Sequence, residues 1–517
     1  AVFRGPVFPP TSPASPARPS RPMAFPETFR YPNPVHRALS TAFALLLLAA
    51  PGRGSVVLDW NEVIIDAIRV DNSGPTLSTR NLAILHTAIH DAVQSVEKTH
   101  QPYRFRLEAP AAARSDAAVV GAASRVLGIL YPTVRADVDR VRGQYLTRHG
   151  TEPGVAEGLA LGEAVADLAL ASRAADGSQT EVPYIPSDLP GQWRRTPPFF
   201  RPPLTPHWRH VRPFCLESVN DEVPPPPPPL DSPAYAEALN EVRVLGAKNS
   251  TVRTAEQTQT AVFWSDFSYT SMPPGHWHLI AADIVRSNPL PLAEEARLFA
   301  LVSLAHADVA IVCWEAKYRY NLWRPVTAIQ RANEDGNPAT EADPGWDHLL
   351  ASPPFPAYTS GHSTFSKAAA EILARFYGTD SITFTATSDS LPGVTRTYHS
   401  LAACADEVGM SRIYGGIHFS FDNEAGKASG RRIGARVASD FLLPEDQLPI
   451  ARWESPSNGV PRLRVHGRVD APVELQASSD LLTWETVDRA TARPGGVLLA
   501  DRTASGHICR FYRVRQP

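Results

Sequence analysis

Cationic and imidazole side chains are concentrated in three short segments between residues 306 and 422 of this 517-residue chain. The set is Lys317, Arg324, Ser360, Gly361, His362, Arg412 and His418. Lysine and arginine donate charge-assisted hydrogen bonds to an oxyanion, each worth about 1.5–3 kcal/mol. One histidine can attack or coordinate the central atom of that anion while the other transfers protons. The pattern predicts a buried site for a tetrahedral oxyanion.

The first segment places two cations around the end of a predicted helix. Apolar residues recur at helical spacing from His306 to about Tyr320. Lys317 therefore lies near the C-terminal end, where it would also interact favourably with the helix dipole. Arg324 precedes Pro325, which is predicted to open the next helix at its first position. Because the residue before a proline has a restricted backbone, Arg324 can be held pointing inward.

The second segment predicts the N-terminus of a helix that begins near His362. Thr359, Ser360 and Gly361 form a loop leading into apolar residues at helical spacing. The free amides and positive dipole of such a terminus suit an anion. Ser360 also fits the simpler function of a helix N-cap, and the two interpretations are compatible.

The third segment carries the last cation and the second histidine. Gly415 and Gly416 allow a tight backbone turn between Arg412 and His418. Asp422 has two interpretations, which the sequence leaves open. It either caps the helix that follows, or orients His418 by a hydrogen bond to the imidazole.

The elements that must position these residues are mainly helical. Residues 55–235 are predicted to form an N-terminal helical region with a proline-rich excursion at 181–235, which either packs over a helical core or hangs as a stiff polyproline segment. Residues 236–443 form the predicted catalytic helical domain. Residues 450–517 contain short alternating runs at 463–465, 473–477, 484–487 and 511–514, which predict a small antiparallel β domain of the sandwich type. The expected fold class is therefore mainly α, a helical bundle with a C-terminal β domain.

The N-terminal residues have the layout of a secretory signal. Residues 1–22 are predicted to be a disordered or non-native leader, and 23–54 a signal peptide with a basic region, the apolar run Ala42–Ala50 and a small-residue exit. An amphipathic N-terminal helix of the mature domain is the alternative. The apolar run is too short to span a bilayer. We therefore expect a secreted or periplasmic protein with no membrane span.

Bulk composition excludes several classes of protein. The chain is 43% hydrophobic and 20% charged, which is typical of a protein with a large core and unlike a disordered one. The net charge of −3 gives no global attraction to nucleic acid. None of the four cysteines forms a close CxxC pair, which argues against a zinc knuckle or a thioredoxin motif.

The three segments resemble the tripartite motif of the type 2 phosphatidic acid phosphatase superfamily. Six residues separate its lysine and arginine, and five separate its second arginine and histidine, as here. Thr359 is a departure, because the family usually has proline there. Two branches share this motif: vanadium-dependent haloperoxidases, and acid phosphatases that act through a phosphohistidine. The long helical N-terminal half resembles the haloperoxidases, as do the stretches around Trp60-Asn61, Phe263-Trp264 and His276-Trp277.

The resemblance implies a role for each residue of the set. The implied vanadate-binding residues are Lys317, Arg324, Ser360, Gly361, Arg412 and His418. His418 would bind the metal, His362 would be the acid/base, and Lys317 would polarise peroxide. Trp314 and Phe355 would shape a halide pocket, with plain core aromatics as the alternative. The implied cofactor is vanadate, and the substrates are hydrogen peroxide and halide, giving hypohalous acid. An organic substrate and the oligomeric state stay open, and an acid phosphatase is the alternative function.

Overall fold

The structure is a computed structural model, and it describes residues 55–479, 481–507 and 510–516. The predicted leader and signal peptide, residues 1–54, lie outside the described residues. In the described part the chain is mainly helical, and the predicted fold class is confirmed. The helices are α1 Val56–Asp71, α2 Pro75–Glu97, α3 Ser115–Leu130, α4 Arg135–His149, α5 Val155–Ser172, α6 Pro233–Leu245, α7 Ala255–Phe263, α8 Met272–Ser287, α9 Leu292–Tyr320, α10 Pro325–Gln330, α11 Gly361–Tyr377, α12 Leu401–Tyr414 and α13 Ser420–Asp440.

Helix α9 passes through the centre of the helical part. Nearly every side chain from Ala293 to Tyr318 is buried, as expected of a helix that is surrounded by others on all sides. It packs against α2, α11 and α13. By length and composition α9 could cross a membrane, but 94% of its most apolar stretch is buried inside the protein. A second candidate arises only if α3 and the segment Pro132–His149 are joined across a 118° bend. The expected absence of a membrane span stays a prediction.

A stripe of glycines lets α13 approach α11 closely. A Cβ atom at Gly430 would lie 2.3 Å from the carbonyl oxygen of Thr364, and one at Gly426 would lie 2.8 Å from that of Ser360. Any side chain at these two positions would push the helices apart. The glycines therefore bring the start of α13, which follows His418, against the N-terminus of α11, which carries His362.

The proline-rich excursion packs over the helical core instead of hanging free. Trp193 and Trp208 are buried. The backbone amides of residues 214–216 donate to the buried carboxylate of Asp308 on α9, at 2.6–2.8 Å. The hydroxyls of Tyr320 and Tyr358 donate to backbone carbonyls of the hexaproline run. The excursion is thereby tied to the elements that carry the first two motif segments.

The C-terminal residues form the predicted small antiparallel β domain. The strands of the chain are β1 Phe384–Thr387, β2 Thr395–Tyr398, β3 Ile450–Ser457, β4 Val460–His466, β5 Pro472–Ser478, β6 Glu485–Thr491, β7 Val497–Ala500 and β8 Phe511–Arg515. Two three-stranded sheets, in the orders β3-β4-β7 and β6-β5-β8, share one apolar core. The sequence pattern indicated β4, β5, β6 and β8, and missed β3, β7 and the β1–β2 hairpin inside the helical part. The exact domain boundaries stay predictions.

Candidate oxyanion site

The seven predicted residues lie at the ends of five helices that meet at one place. Lys317 is at the C-terminal end of α9, and Arg324 is the N-cap of α10. Ser360 is the N-cap of α11, followed by Gly361 and His362. Arg412 lies in the last turn of α12, and His418 lies two residues before α13 begins. Burial lowers the pKa of His418 well below its ordinary value, and the nearby Arg324, Lys317, Arg412 and His362 contribute in the same direction.

Lys317 is fully buried and donates to the loop that precedes α11. Its Nζ lies 3.1 Å from the Pro356 carbonyl oxygen and 3.0 Å from that of Ala357, and it also donates to Thr359. Its three N–H groups therefore fix this loop, so toward an anion Lys317 acts here as a charge. Burial lowers the pKa of Lys317 to about 8, and the nearby Arg324 contributes in the same direction.

The two arginines are also fully buried, and each has N–H groups that form no hydrogen bond to a described residue. Arg324 donates through Nε to the Phe355 carbonyl and through Nη1 to that of Ile417, both at 2.8 Å. Arg412 donates through Nη1 to the Trp264 carbonyl at 2.7 Å. Among the described residues, Nη2 of Arg324 and both Nε and Nη2 of Arg412 have no hydrogen-bond partner. Burial lowers the pKa of Arg324 to about 9 and that of Arg412 to about 10.

His418 is held in one orientation from both sides of its ring. Its Nδ1 lies 2.8 Å from Oδ2 of Asp422, and its Nε2 lies 3.0 Å from Nη1 of Arg324. Because an arginine only donates, Nε2 must offer a lone pair, and the proton resides on Nδ1. The same Asp422 oxygen accepts the amide of Phe419 at 3.1 Å. Asp422 thus both orients His418 and caps α13, so both interpretations of this residue hold.

His362 faces a carboxylate that the sequence analysis did not identify. Its Nε2 lies 3.8 Å from Oδ2 of Asp266, whose Oδ1 lies 3.0 Å from Nδ1 of His276. Burial lowers the pKa of His362 well below its ordinary value, with Arg412 adding to the effect. Asp266 precedes His362 by 96 residues, and nothing in its local spacing pointed to the site. The only signal was its position just after the Phe263-Trp264 stretch.

The two predicted halide-pocket aromatics lie together beside Lys317. The rings of Trp314 and Phe355 have centroids 5.0 Å apart, and both side chains are buried. Lys317 Nζ is 4.9 Å from the Phe355 ring and 5.9 Å from that of Trp314. Both distances are within the range of cation–π attraction. The rings therefore exclude water next to the buried ammonium.

The residues present fit a tetrahedral oxyanion such as vanadate or phosphate. Buried N–H groups are normally hydrogen-bonded, so each unpartnered one requires an explanation. Among the described residues of this site, unpartnered N–H groups belong to Arg324 and Arg412, and Nε2 of His362 is also unpartnered; other buried N–H groups without a partner lie elsewhere in the protein, as at Trp193 and Arg243. Within the part of the chain that the structure describes, two carboxylates act on the three buried cations: Asp266 acts on Arg412, and Asp422 acts on Lys317 and Arg324. An anion would satisfy these donors and offset the excess charge.

The depressed pKa of Lys317 predicts how anion affinity depends on pH. We expect the affinity of vanadate-free protein for inorganic phosphate to fall as pH rises through about 8, because Lys317 then loses the charge that attracts the anion. Calorimetry between pH 7.5 and 9.5 measures this. In Lys317→Met the affinity should already be low at pH 7.5, with the step at about 8 missing. An unchanged step in that variant would contradict the assignment.

A family model and a curated relative match this chain. The model, described as the VCPO second helical-bundle domain, matches residues 297–442, which contain all seven residues of the site. A vanadium chloroperoxidase from Curvularia inaequalis is 28% identical over 507 residues, covering 75% of this chain and 80% of that protein. The chain is thus similar to a chloroperoxidase over most of its length.

Solved structures show the same likeness in three dimensions. The structure described as the first bacterial vanadium-dependent iodoperoxidase superposes with a TM-score of 0.68 at 27% identity, covering 76% of this chain and 97% of that one. A holo-type bacterial vanadium-dependent chloroperoxidase gives 0.57 at 17% identity, over 71% of this chain and 92% of that one. At 17% identity the second likeness shows the fold alone.

Proposed function

Because the chain belongs to the vanadium-dependent haloperoxidase family, we propose that it oxidises halide ions with hydrogen peroxide, using vanadate held in the oxyanion site. The net reaction is H2O2 + X⁻ + H⁺ → HOX + H2O, so two electrons pass from halide to peroxide. The observation that carries the proposal is the set of buried, unpartnered N–H groups of Arg324 and Arg412 beside an imidazole lone pair.

Different residues of the site would hold the oxygens of the anion and its metal atom. Arg324 and Arg412 would hold the anion through their free N–H groups, and Ser360 and the Gly361 amide would contribute from the N-terminus of α11. Nε2 of His418 would bind the metal atom, since Asp422 keeps the ring proton on Nδ1. Vanadate, when bound, supplies a Lewis acid that activates peroxide without a change of oxidation state.

His362 and Lys317 would act on the reacting oxygens. The pKa of His362 is low in the anion-free site, so the ring is neutral and ready to accept a proton. A bound anion would raise that pKa, allowing His362 to deliver the proton which the net reaction consumes. The charge of Lys317, beside the rings of Trp314 and Phe355, would favour electron density on the oxygen that leaves and attract halide into the pocket.

We also propose that the protein is secreted or periplasmic. The basic, apolar and small-residue order within residues 23–54 supports this. N-terminal sequencing of protein recovered from the producing cell's exterior would give a start close to residue 55. Recovery of the protein only from cytoplasm with residues 23–54 intact would contradict it.

The function is tested by titrating vanadate into anion-stripped protein. We expect peroxide-dependent bromination of a phenol dye to appear with vanadate and to saturate at one vanadate per chain. Hydrolysis of a phosphate ester is followed in parallel on the same samples. Ester hydrolysis that vanadate suppresses, with bromination absent at every vanadate concentration, would overturn the proposal in favour of an acid phosphatase using the same pocket.

A further inference from the structure

Trp264 is a buried tryptophan whose backbone and side chain are both held by residues of α12. It directly follows α7 and is 1% exposed. Its carbonyl oxygen accepts Nη1 of Arg412 at 2.7 Å, and its indole Nε1 donates to Oε1 of Glu407 at 2.8 Å. Arg412 is one of the two arginines that would hold the oxyanion, whereas the proposed reaction assigns no role to Glu407.

Glu407 and Arg412 contact Trp264 from two levels of the same helix. They are five residues apart on α12, which corresponds to about 7.5 Å along the helix axis. A tryptophan side chain rotates about only two bonds, so a hydrogen bond at Nε1 restricts the orientation of the ring relative to its own backbone. The carbonyl that accepts Arg412 is thereby fixed with respect to α12. Nη1 of Arg412 is held by this carbonyl, while Nε and Nη2 have no partner among the described residues.

The β1–β2 hairpin in turn fixes Glu407. Two side chains of β2 donate to the same Oε1 atom, Arg396 through Nη1 at 2.9 Å and Tyr398 through its hydroxyl at 2.6 Å. Arg396 also donates through Nη2 to Glu256 in the first turn of α7. The ring of Tyr398 lies beside that of Trp264, with centroids 6.2 Å apart. The hairpin therefore connects α7 to α12 and holds the carboxylate at the indole N–H.

We propose that Glu407 is a positioning residue of the oxyanion site, which acts through Trp264 to keep Nε and Nη2 of Arg412 directed at the anion. This inference rests on the proposed function, because it concerns the same site. Without the carboxylate, the indole N–H would be a buried donor without a partner, which is unfavourable, and the ring would turn toward another acceptor. The carbonyl would turn with it, and the guanidinium of Arg412 would lose the contact that sets its direction.

The test measures phosphate binding by vanadate-free protein, which does not depend on halide oxidation. We expect Glu407→Leu to raise the dissociation constant for phosphate about tenfold, since a misdirected guanidinium loses about one charge-assisted hydrogen bond to the anion. Glu407→Gln keeps an acceptor oxygen for the indole N–H and should bind phosphate within about threefold of the original protein. Asp406→Leu, at the neighbouring and more exposed carboxylate of α12, is the matched control and should bind normally.

Substitution of the tryptophan separates positioning from packing. Trp264→Phe keeps a buried ring but removes the N–H, so it should weaken phosphate binding by about the same factor. Because Glu407 acts through that N–H, Glu407→Leu combined with Trp264→Phe should bind phosphate within about threefold of either single variant. Trp60→Phe, at a buried tryptophan of α1, is the control for lost ring volume and should bind normally.

Non-additive losses, with binding restored in Glu407→Gln, support the proposal. Normal phosphate binding by Glu407→Leu would overturn it, as would an equal loss in Glu407→Gln or losses that multiply to about a hundredfold in the double variant. If Glu407→Leu does not fold, Trp264→Phe decides alone: an about tenfold loss at an unchanged melting temperature supports the proposal, and normal binding overturns it. Failure of the proposed function is a separate result, because it would appear as absent bromination by the original protein.

Discussion

Replacing His418 by alanine should abolish vanadate-dependent bromination, lowering the rate by about a thousandfold or more. Nε2 of His418 is the imidazole lone pair that faces the three cations, and its orientation is fixed by Asp422 and Arg324. Without it vanadate would be held by hydrogen bonds alone. We therefore expect the dissociation constant for vanadate to rise far more than that for phosphate, because phosphate binding relies mainly on Arg324 and Arg412.

Calorimetric titration of both anions, together with the bromination assay, measures this difference. His399→Ala is the control, since His399 is exposed and hydrogen-bonds only to Thr383 on the β1–β2 hairpin among its described contacts. Bromination near the original rate in His418→Ala would show that another group binds the metal. Equal losses of vanadate and phosphate affinity would show that the ring only shapes the pocket.

The site was predictable where its residues lie close together in sequence on helix ends. Spacing alone placed Ser360 at a helix N-terminus and Arg324 at the start of a helix that opens with Pro325, and the structure has both. Helix ends are encoded locally, by caps, prolines and the spacing of apolar residues. The tripartite motif then indicated which of these helix ends meet at one site.

The residues that sequence reasoning missed act across long separations. Asp266 reaches His362 from 96 residues earlier, at a position outside any helix, and no local period marks such a residue. The contact of Lys317 with an anion stays a prediction, and the sequence did not indicate that its N–H groups donate to the loop before α11. The acceptors of a buried lysine depend on which carbonyl groups the folded chain brings within hydrogen-bond distance, and the sequence alone does not give this.

Strands were predictable only where apolar and polar residues alternate clearly. In the first half of β5 the buried Val473 and Leu475 alternate with the exposed Pro472 and the half-buried Glu474, so the pattern was visible. β3 lies mostly exposed at the edge of its sheet, so its sequence Ile450–Ser457 carries little apolar alternation. The four-residue hairpin strands β1 and β2 are too short to show a period.

Replacing Asp422 by asparagine should reduce vanadate affinity by about 10- to 100-fold, although the side chain hardly changes in size. Asp422 is fully buried, and its carboxylate accepts from Nδ1 of His418 and the amide of Phe419 through one oxygen. An asparagine oxygen can keep both hydrogen bonds. It removes the negative charge that makes Nε2 of His418 a stronger ligand, and it places an amide donor beside Lys317 and Arg324.

The vanadate dissociation constant and the melting temperature together separate the two functions of Asp422. The matched control is Asp406→Asn, an exposed carboxylate on α12 that pairs with Lys427. We expect it to leave vanadate affinity unchanged. If Asp422→Asn lowered the melting temperature but left vanadate affinity intact, Asp422 would be only a cap of α13. The expected result is the reverse: because the Phe419 amide keeps its acceptor, stability changes little while affinity falls, since the lone pair on His418 loses the charge that supports it.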